Sequence, residues 1–424
     1  MNYQKKELEN YNLHIIQSKK FKTITMKINF KRLLTKEDIT KRNLLSEILV
    51  KSTQKYHSER LLAIATEDLY GINYGAFSLT SGKYGILGFN ISFLNEEYTE
   101  EGIVSEVIEF IKEMIFHPNV KDHAFDKEAF SMAKSRIKDD IELTIENPNQ
   151  YSMNRLYDLL DENSILAYHP EGDLEVLENI TKENLYEFYL DILKNDMVDI
   201  FVLGDLKEEN IHEITEAFAF EKRKTITESH YVTDVLKREE VKTVTEQSHF
   251  TQSKMCIAYN LNDLTTFERD YVSYIYSSIL GGGGDSKLFK KVREENSLCY
   301  SIGSFINRIY SLMTIRLGFD RENYDKVIKT IQKCIDDMKS GKFSEEEIER
   351  AKSIYKNGLK ETFDRPNSIL NMYVSKEYLN LDDIDERCKK IEKVDKDHLM
   401  EFAKKVQINI IYCLEGGKNE TETK

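Results

Sequence analysis

The strongest constraint on this chain is that it repeats itself. Residues 125–149, FDKEAFSMAKSRIKDDIELTIENPN, align without a gap on residues 343–367, FSEEEIERAKSIYKNGLKETFDRPN, 218 positions later. The Phe, Ala-Lys-Ser and Pro-Asn positions stay in register. Both copies predict an acidic helix start, a long amphipathic helix and a stop before the proline, because a residue preceding Pro is pushed out of the helical region. A second pair, ITKENLYEFY (180–189) and VDKDHLMEFA (394–403), precedes an apolar strand in each copy, VDIFVLGD (198–205) or INIIYCLE (408–415). A third joins VIEFIKEM (107–114) to IQKCIDDM (331–338). Three collinear matches at similar offsets are the trace of two diverged copies of one domain.

The coarse pattern within each copy is two strands, two helices, a hairpin, a helix, long helices, a helix and a closing strand. In the first copy TITMKINF (23–30) alternates as a strand, 42–53 and 59–69 read as helices, and 74–80 with 85–93 form a hairpin around SGKYG. The second copy opens with strands near 241–247 and 254–259. Helices over 267–280 and 286–295 follow, then a strand pair ending at Gly318. An α+β fold follows, each half a mainly antiparallel sheet covered by helices. The chain divides into an N-terminal half over 1–220, a charged linker with little apolar pattern over 221–240, and a C-terminal half over 241–424.

Composition narrows the function. A net charge of −14 repels phosphate backbones, and no basic patch offsets it, so neither nucleic acid nor an anionic membrane is expected as a partner. The start lacks the apolar run of a signal peptide and no stretch approaches 18 apolar residues, so the expected location is cytoplasmic. Five cysteines, all beyond residue 250 and without a CxxC pair, read as reduced, buried thiols. Of nine histidines no two are four apart, and the nearest pair, His117 and His123, is separated by Pro118, so no helix offers two imidazoles on one face. GGGGDSK (281–287) lacks the Gly-Lys-Ser/Thr of a phosphate loop and follows a helix, which excludes a P-loop. It reads as a turn needing positive φ where backbone comes close.

The stretch LGGGGDSKLFKKVREENSLCYSIGSF (280–305) joins a glycine-rich turn to Ser-x-Leu-Phe, an Arg-Glu pair and Leu-x-Tyr-Ser. With the duplication, it resembles the C-terminal-half signature of the M16 (insulinase/pitrilysin-like) peptidases. NLHIIQSKKFKT (12–23) and TQKYHSERLLAIATEDLYG (53–71) further resemble the YmfF-type noncatalytic bacterial branch. The resemblance implies two M16-type (LuxS/MPP-like metallohydrolase) halves. Active members hold zinc with His-x-x-Glu-His on a first-half helix, two imidazoles at i and i+4 and a Glu that serves as base for water. Placing Thr53 on the family's Thr after that motif puts Asn43-Leu44-Leu45-Ser46-Glu47 at the five positions. Asn43 and Glu47 then replace the imidazoles and Ser46 the base, a donor set unsuited to zinc. The third ligand falls near Ser135, with Glu128 at an earlier acidic position.

The family's second half contributes an Arg and a Tyr that hold the substrate's carbonyls, and these match Arg293 and Tyr300. A guanidinium fork and a phenol are suited to carbonyl or oxyanion oxygens. The resemblance therefore implies a chain inactive by itself and without a metal or other cofactor of its own. Zinc is expected only in a sister subunit carrying His-x-x-Glu-His, and Arg293 and Tyr300 would bind unfolded peptide substrate for that partner. Two alternatives stay open: a homodimeric scaffold with no proteolytic activity, and an autonomous metallopeptidase with unconventional ligands.

Overall fold

The computed structural model describes residues 1–162, 164–221 and 235–417. The expected linker over 221–240 lies mostly outside them. Its last part is packed: Val235 is buried and Arg238 donates to the carbonyls of Leu159 and Leu160 and to Asn409.

The first sheet contains β1 (Asn2–Glu7), β2 (Asn12–Gln17), β3 (Thr23–Leu33), β4 (Asn73–Ser81) and β5 (Tyr84–Leu94). After a two-residue hairpin of β6 (Val120–Lys121) and β7 (Ala124–Phe125), β8 (Met197–Gly204) completes it. The order is β1-β2-β8-β3-β5-β4, and only the β2–β8 pair is parallel. The second sheet comprises β9 (Lys242–Gln247), β10 (Ser253–Leu261), β11 (Cys299–Asn307), β12 (Leu312–Phe319) and β13 (Val406–Glu415), in the order β11-β12-β10-β13-β9. Its single parallel pair is β9–β13. Read from β2 and from β9, the two sheets follow the same path, and β1 is an addition to the first. The α+β class and the duplication expected from sequence are what the chain adopts.

The compact units cut across chain order. One takes residues 1–143, 168–229 and 362–380; the other takes 144–167, 230–361 and 381–424. In the first, helices α1 (Lys36–Ile48), α2 (Glu59–Asp68) and α3 (Ile103–Phe116) and helix Lys182–Asn195 cover one sheet face around Met26, Ile28, Leu44, Val107 and Tyr189. The long α4 (Lys127–Glu146) runs beside them, burying only Ala133, Ile137 and Ile141. The two prolines of the repeat each stand at the first turn of a further helix, where a missing N–H costs nothing. These are α5 (Pro148–Leu160) and helix Pro366–Leu379. They are assigned to opposite units. α5 sets Met153, Leu156 and Leu160 against Cys256, Ala258 and Tyr412 of the second sheet. Helix Pro366–Leu379 sets Ile369, Leu370 and Tyr378 against Ile16, Phe201 and Leu203 of the first.

This covering helix changes β3. Its apolar–polar alternation predicts one wet face, yet Thr25, Lys27 and Asn29 are all buried. Beneath the helix lies a polar network. Tyr378 donates to the Asp199 carboxylate at 2.8 Å, Asn12 donates to the same carboxylate at 2.8 Å, and Lys31 pairs with it at 3.5 Å. His14, fully buried and stacked on Phe201, completes it 3.6 Å from Asp199. Burial pushes the Asp199 carboxyl up, but His14, Lys31 and Asn12 outweigh it and hold its pKa well below the usual carboxylate range.

Candidate functional site

Asn43–Glu47 lie on α1, which begins after the Thr35 cap whose hydroxyl accepts from Asp38 N–H and ends at Ile48, so the helix starts and stops earlier than the expected 42–53. Leu44 and Leu45 face the core at 0% exposure, leaving Asn43, Ser46 and Glu47 on the half-exposed side. Each of the three is occupied. Asn43 donates its amide to the Pro170 carbonyl at 2.9 Å, and Ser46 donates to the Asn43 carbonyl at 2.8 Å. Glu47 pairs at 2.9 Å with Arg136, a guanidinium from α4. Ser135 and Glu128 are exposed on that helix. A cleft of about 540 Å³ is lined by Glu47, His57, Asp126, Glu128 and Arg136, but not by Asn43 or Ser46.

This donor set does not fit zinc. An amide nitrogen and a hydroxyl already donating to carbonyls offer no thiolate, imidazole or carboxylate, and the one carboxylate is neutralised by a guanidinium that a metal ion would repel. Among the described residues no three His, Cys, Asp or Glu side chains gather in a metal-holding group. Arg136 was not singled out in the sequence.

The second unit presents a different arrangement. Residues 281–286 form the expected glycine turn. Gly283 has φ +151°, and a Cβ on Gly281 would meet the Ser304 backbone nitrogen at 2.5 Å, so close approach to β11 requires glycine there. The chain then enters a π-helical turn, Phe289–Glu294, in which Glu295 N–H bonds the Lys290 carbonyl at 2.9 Å. Such wider turns present side chains that an α-helix would space differently. Arg293 stands on this turn, exposed, with its guanidinium carbon 4.8 Å from the Phe289 ring centre and no carboxylate partner among the described residues.

Tyr300 comes from the start of β11, an edge strand paired, among the described residues, only with β12. Register shifts between Cys299 and Ser301, so Tyr300 is the extra residue of a bulge, and its side chain is 68% exposed. The intervening Cys299 thiol is inert: burial pushes it up to about 11, although Arg293 pulls the other way. Phe305, further along the same edge, is 50% exposed. Two hydrogen-bond-donating side chains thus stand at and just before the start of an edge strand, whose Ser304 carbonyl is taken by the Ser277 hydroxyl.

The family model described as Peptidase M16 inactive domain matches residues 179–355, spanning the strand that closes the first sheet through the Arg293–Tyr300 region. A conserved protein from Enterococcus faecalis V583 superposes with a TM-score of 0.93 at 27% identity, covering 99% of this chain and 100% of that one. The peptidase M16 inactive domain from Pseudomonas fluorescens gives 0.78 at 14% identity over 99% and 100%, a likeness of fold. These likenesses define a class: in its second-half region and in its whole fold the chain is similar to the M16 peptidases. Within that family its resemblance is to the YmfF-type branch, being 25% identical over 409 residues, 95% of each chain, to the probable inactive metalloprotease YmfF of Bacillus subtilis (strain 168). Among the described residues no helix is long and apolar enough to cross a membrane.

Proposed function

We propose that this chain is a noncatalytic subunit that pairs with an M16 sister carrying His-x-x-Glu-His and holds unfolded peptide for cleavage there. The observation that carries the reading is an asymmetry. Asn43, Ser46 and Glu47 are each bonded within the protein, whereas Arg293 and Tyr300 are exposed and uncommitted beside an unpaired strand edge. A peptide adding antiparallel or parallel to β11 would gain main-chain hydrogen bonds that ignore its sequence, and the guanidinium and phenol would supply donors for its carbonyl oxygens. The relative described as a probable inactive metalloprotease supports the absence of intrinsic catalysis.

The test mixes the chain with a purified sister subunit and a quenched unfolded peptide in a cytoplasm-like buffer. Hydrolysis is expected only from the pair. Arg293→Ala in this chain should lower kcat/KM by about tenfold or more, roughly 1.4 kcal/mol of transition-state binding, while the pair still elutes as one complex. Activity indifferent to Arg293→Ala and Tyr300→Phe would sink the shared-site reading.

A further inference from the structure

Lysines are almost never fully buried without a carboxylate partner, because the ammonium loses its hydration and needs a compensating charge. Among the described residues two lysines are buried to this depth. Lys352, 6% exposed, follows the rule: it pairs with Glu349 at 2.8 Å. Lys27, 8% exposed, does not. Its ammonium bonds the neutral Asn371 carboxamide oxygen and lies 5.0 Å from the centre of the Phe77 ring. The buried Asp199 carboxylate of the same sheet is shared by Lys31, Asn12 and Tyr378. One amide oxygen and one ring face leave part of the three-donor capacity of the ammonium unused.

Lys27 also faces space. A cavity of about 240 Å³ lies between β3, β4, β5 and helix Pro366–Leu379, all within the first unit. This is far above the ~10–15 Å³ that one water needs. Its wall is of two kinds. Phe77, Leu79 and Ile86 give an apolar side, while the Thr80, Ser81 and Ser375 hydroxyls lie among the polar groups. The apolar side is held by a backbone choice: Phe77 lies over Gly88 of β5, where a Cβ would come within 2.2 Å of the ring. A glycine in mid-strand, which weakens a sheet, is here what lets the aromatic ring lie flat and keep the cavity open.

We propose that this cavity is a binding site for a small carboxylate carried on an apolar body, with Lys27 as its counter-ion and the hydroxyls as additional donors. The chemistry is common to a free short-chain or acylamino acid and to the C-terminal residue of a polypeptide. Burial lowers the pKa of the Lys27 amine, and a bound carboxylate restores the charge balance that the fold omits.

Calorimetric titration of the full chain with N-acetyl-leucine and with N-acetyl-leucinamide tests this, since the two differ only in the charge. The acid should bind at least about tenfold more tightly than the amide. Lys27→Met should abolish that preference and Lys27→Arg should keep most of it, circular dichroism checking that both fold. A hexapeptide ending in Leu, with free or amidated C-terminus, separates the sources. Preference for the free end assigns the site to polypeptide termini, and binding of N-acetyl-leucine alone assigns it to small acids. Equal affinity for acid and amide on the unsubstituted protein, or no heat from any acid at about 10 mM, overturns the proposal.

Discussion

The two helices that follow the repeated Pro-Asn occupy equivalent positions in the duplication, yet they dock by different physics. α5 covers the second sheet with an apolar interface of Leu156, Leu160, Ala258 and Ile410, and its polar contacts are Arg155, which with Tyr412 reaches Glu246, and its last carbonyls, which accept from Arg238. Helix Pro366–Leu379 covers the first sheet over buried charge, with Asp199, Lys31, His14 and Tyr378 beneath it. The lesson is that duplication conserved topology while leaving each covered face free to change character. The first face carries a buried cluster of charges, and beside it lie a deeply buried ammonium bonded to a carboxamide and a cavity.

The contrast can be broken most severely at its charged end. Asp199→Ala strands Lys31, Tyr378 and Asn12 without their shared acceptor and should destabilise by about 3–5 kcal/mol in urea melts. Leu156→Ala in the apolar counterpart should cost about 2–5 kcal/mol, the spread depending on how far the second sheet closes over the lost volume. A finding that the Asp199 substitution is the milder of the two would reverse the comparison. Tyr378→Phe, which removes one donor from a buried carboxylate, should cost about 1–3 kcal/mol.

Acid sharpens the same contrast. Because the folded pKa of Asp199 lies below its unfolded value of about 3.9, its contribution is complete above that pH and is lost as pH falls towards the folded value. Asp199→Asn should therefore flatten the acid limb of stability against pH. Glu246, held below its ordinary range first by Arg155, has a side chain 26% exposed, and Glu246→Gln should flatten the limb less. The smallest effect is expected at the pair between α1 and α4. Arg136→Ala breaks a pair whose arginine is 62% exposed and should change stability by no more than about 1 kcal/mol, measured by the same melts.

Sequence periodicity gave the sheets, because their strands and the helices beside them carry local apolar patterns that recur about 218 residues apart. β1 escaped notice because NYQKKE is a polar edge strand with no buried face to write a pattern. The alternation of TITMKINF puts Lys27 on the polar face of its strand, and that face is buried. What buries it arrives some 340 residues later in the chain, and no local rule reports that. On α1, Asn43, Ser46 and Glu47 were legible as residues unsuited to zinc, since ligand chemistry belongs to side-chain type and helical spacing. The partner Arg136 was not, because an ion pair between α1 and α4 depends on how two helices pack. Arg293 and Tyr300 were legible as a motif, but the π turn and the bulge that expose them are backbone departures that one- and two-residue propensities do not encode.

The crossing over of α5 and helix Pro366–Leu379 has a practical outcome for anyone dividing the gene. Fragments made by cutting within residues 222–234 would each carry a helix built for the other piece's sheet and lack the one its own sheet requires. Neither fragment should be soluble when produced alone. Co-produced, they should reassemble, making the protein a natural candidate for split-reporter complementation.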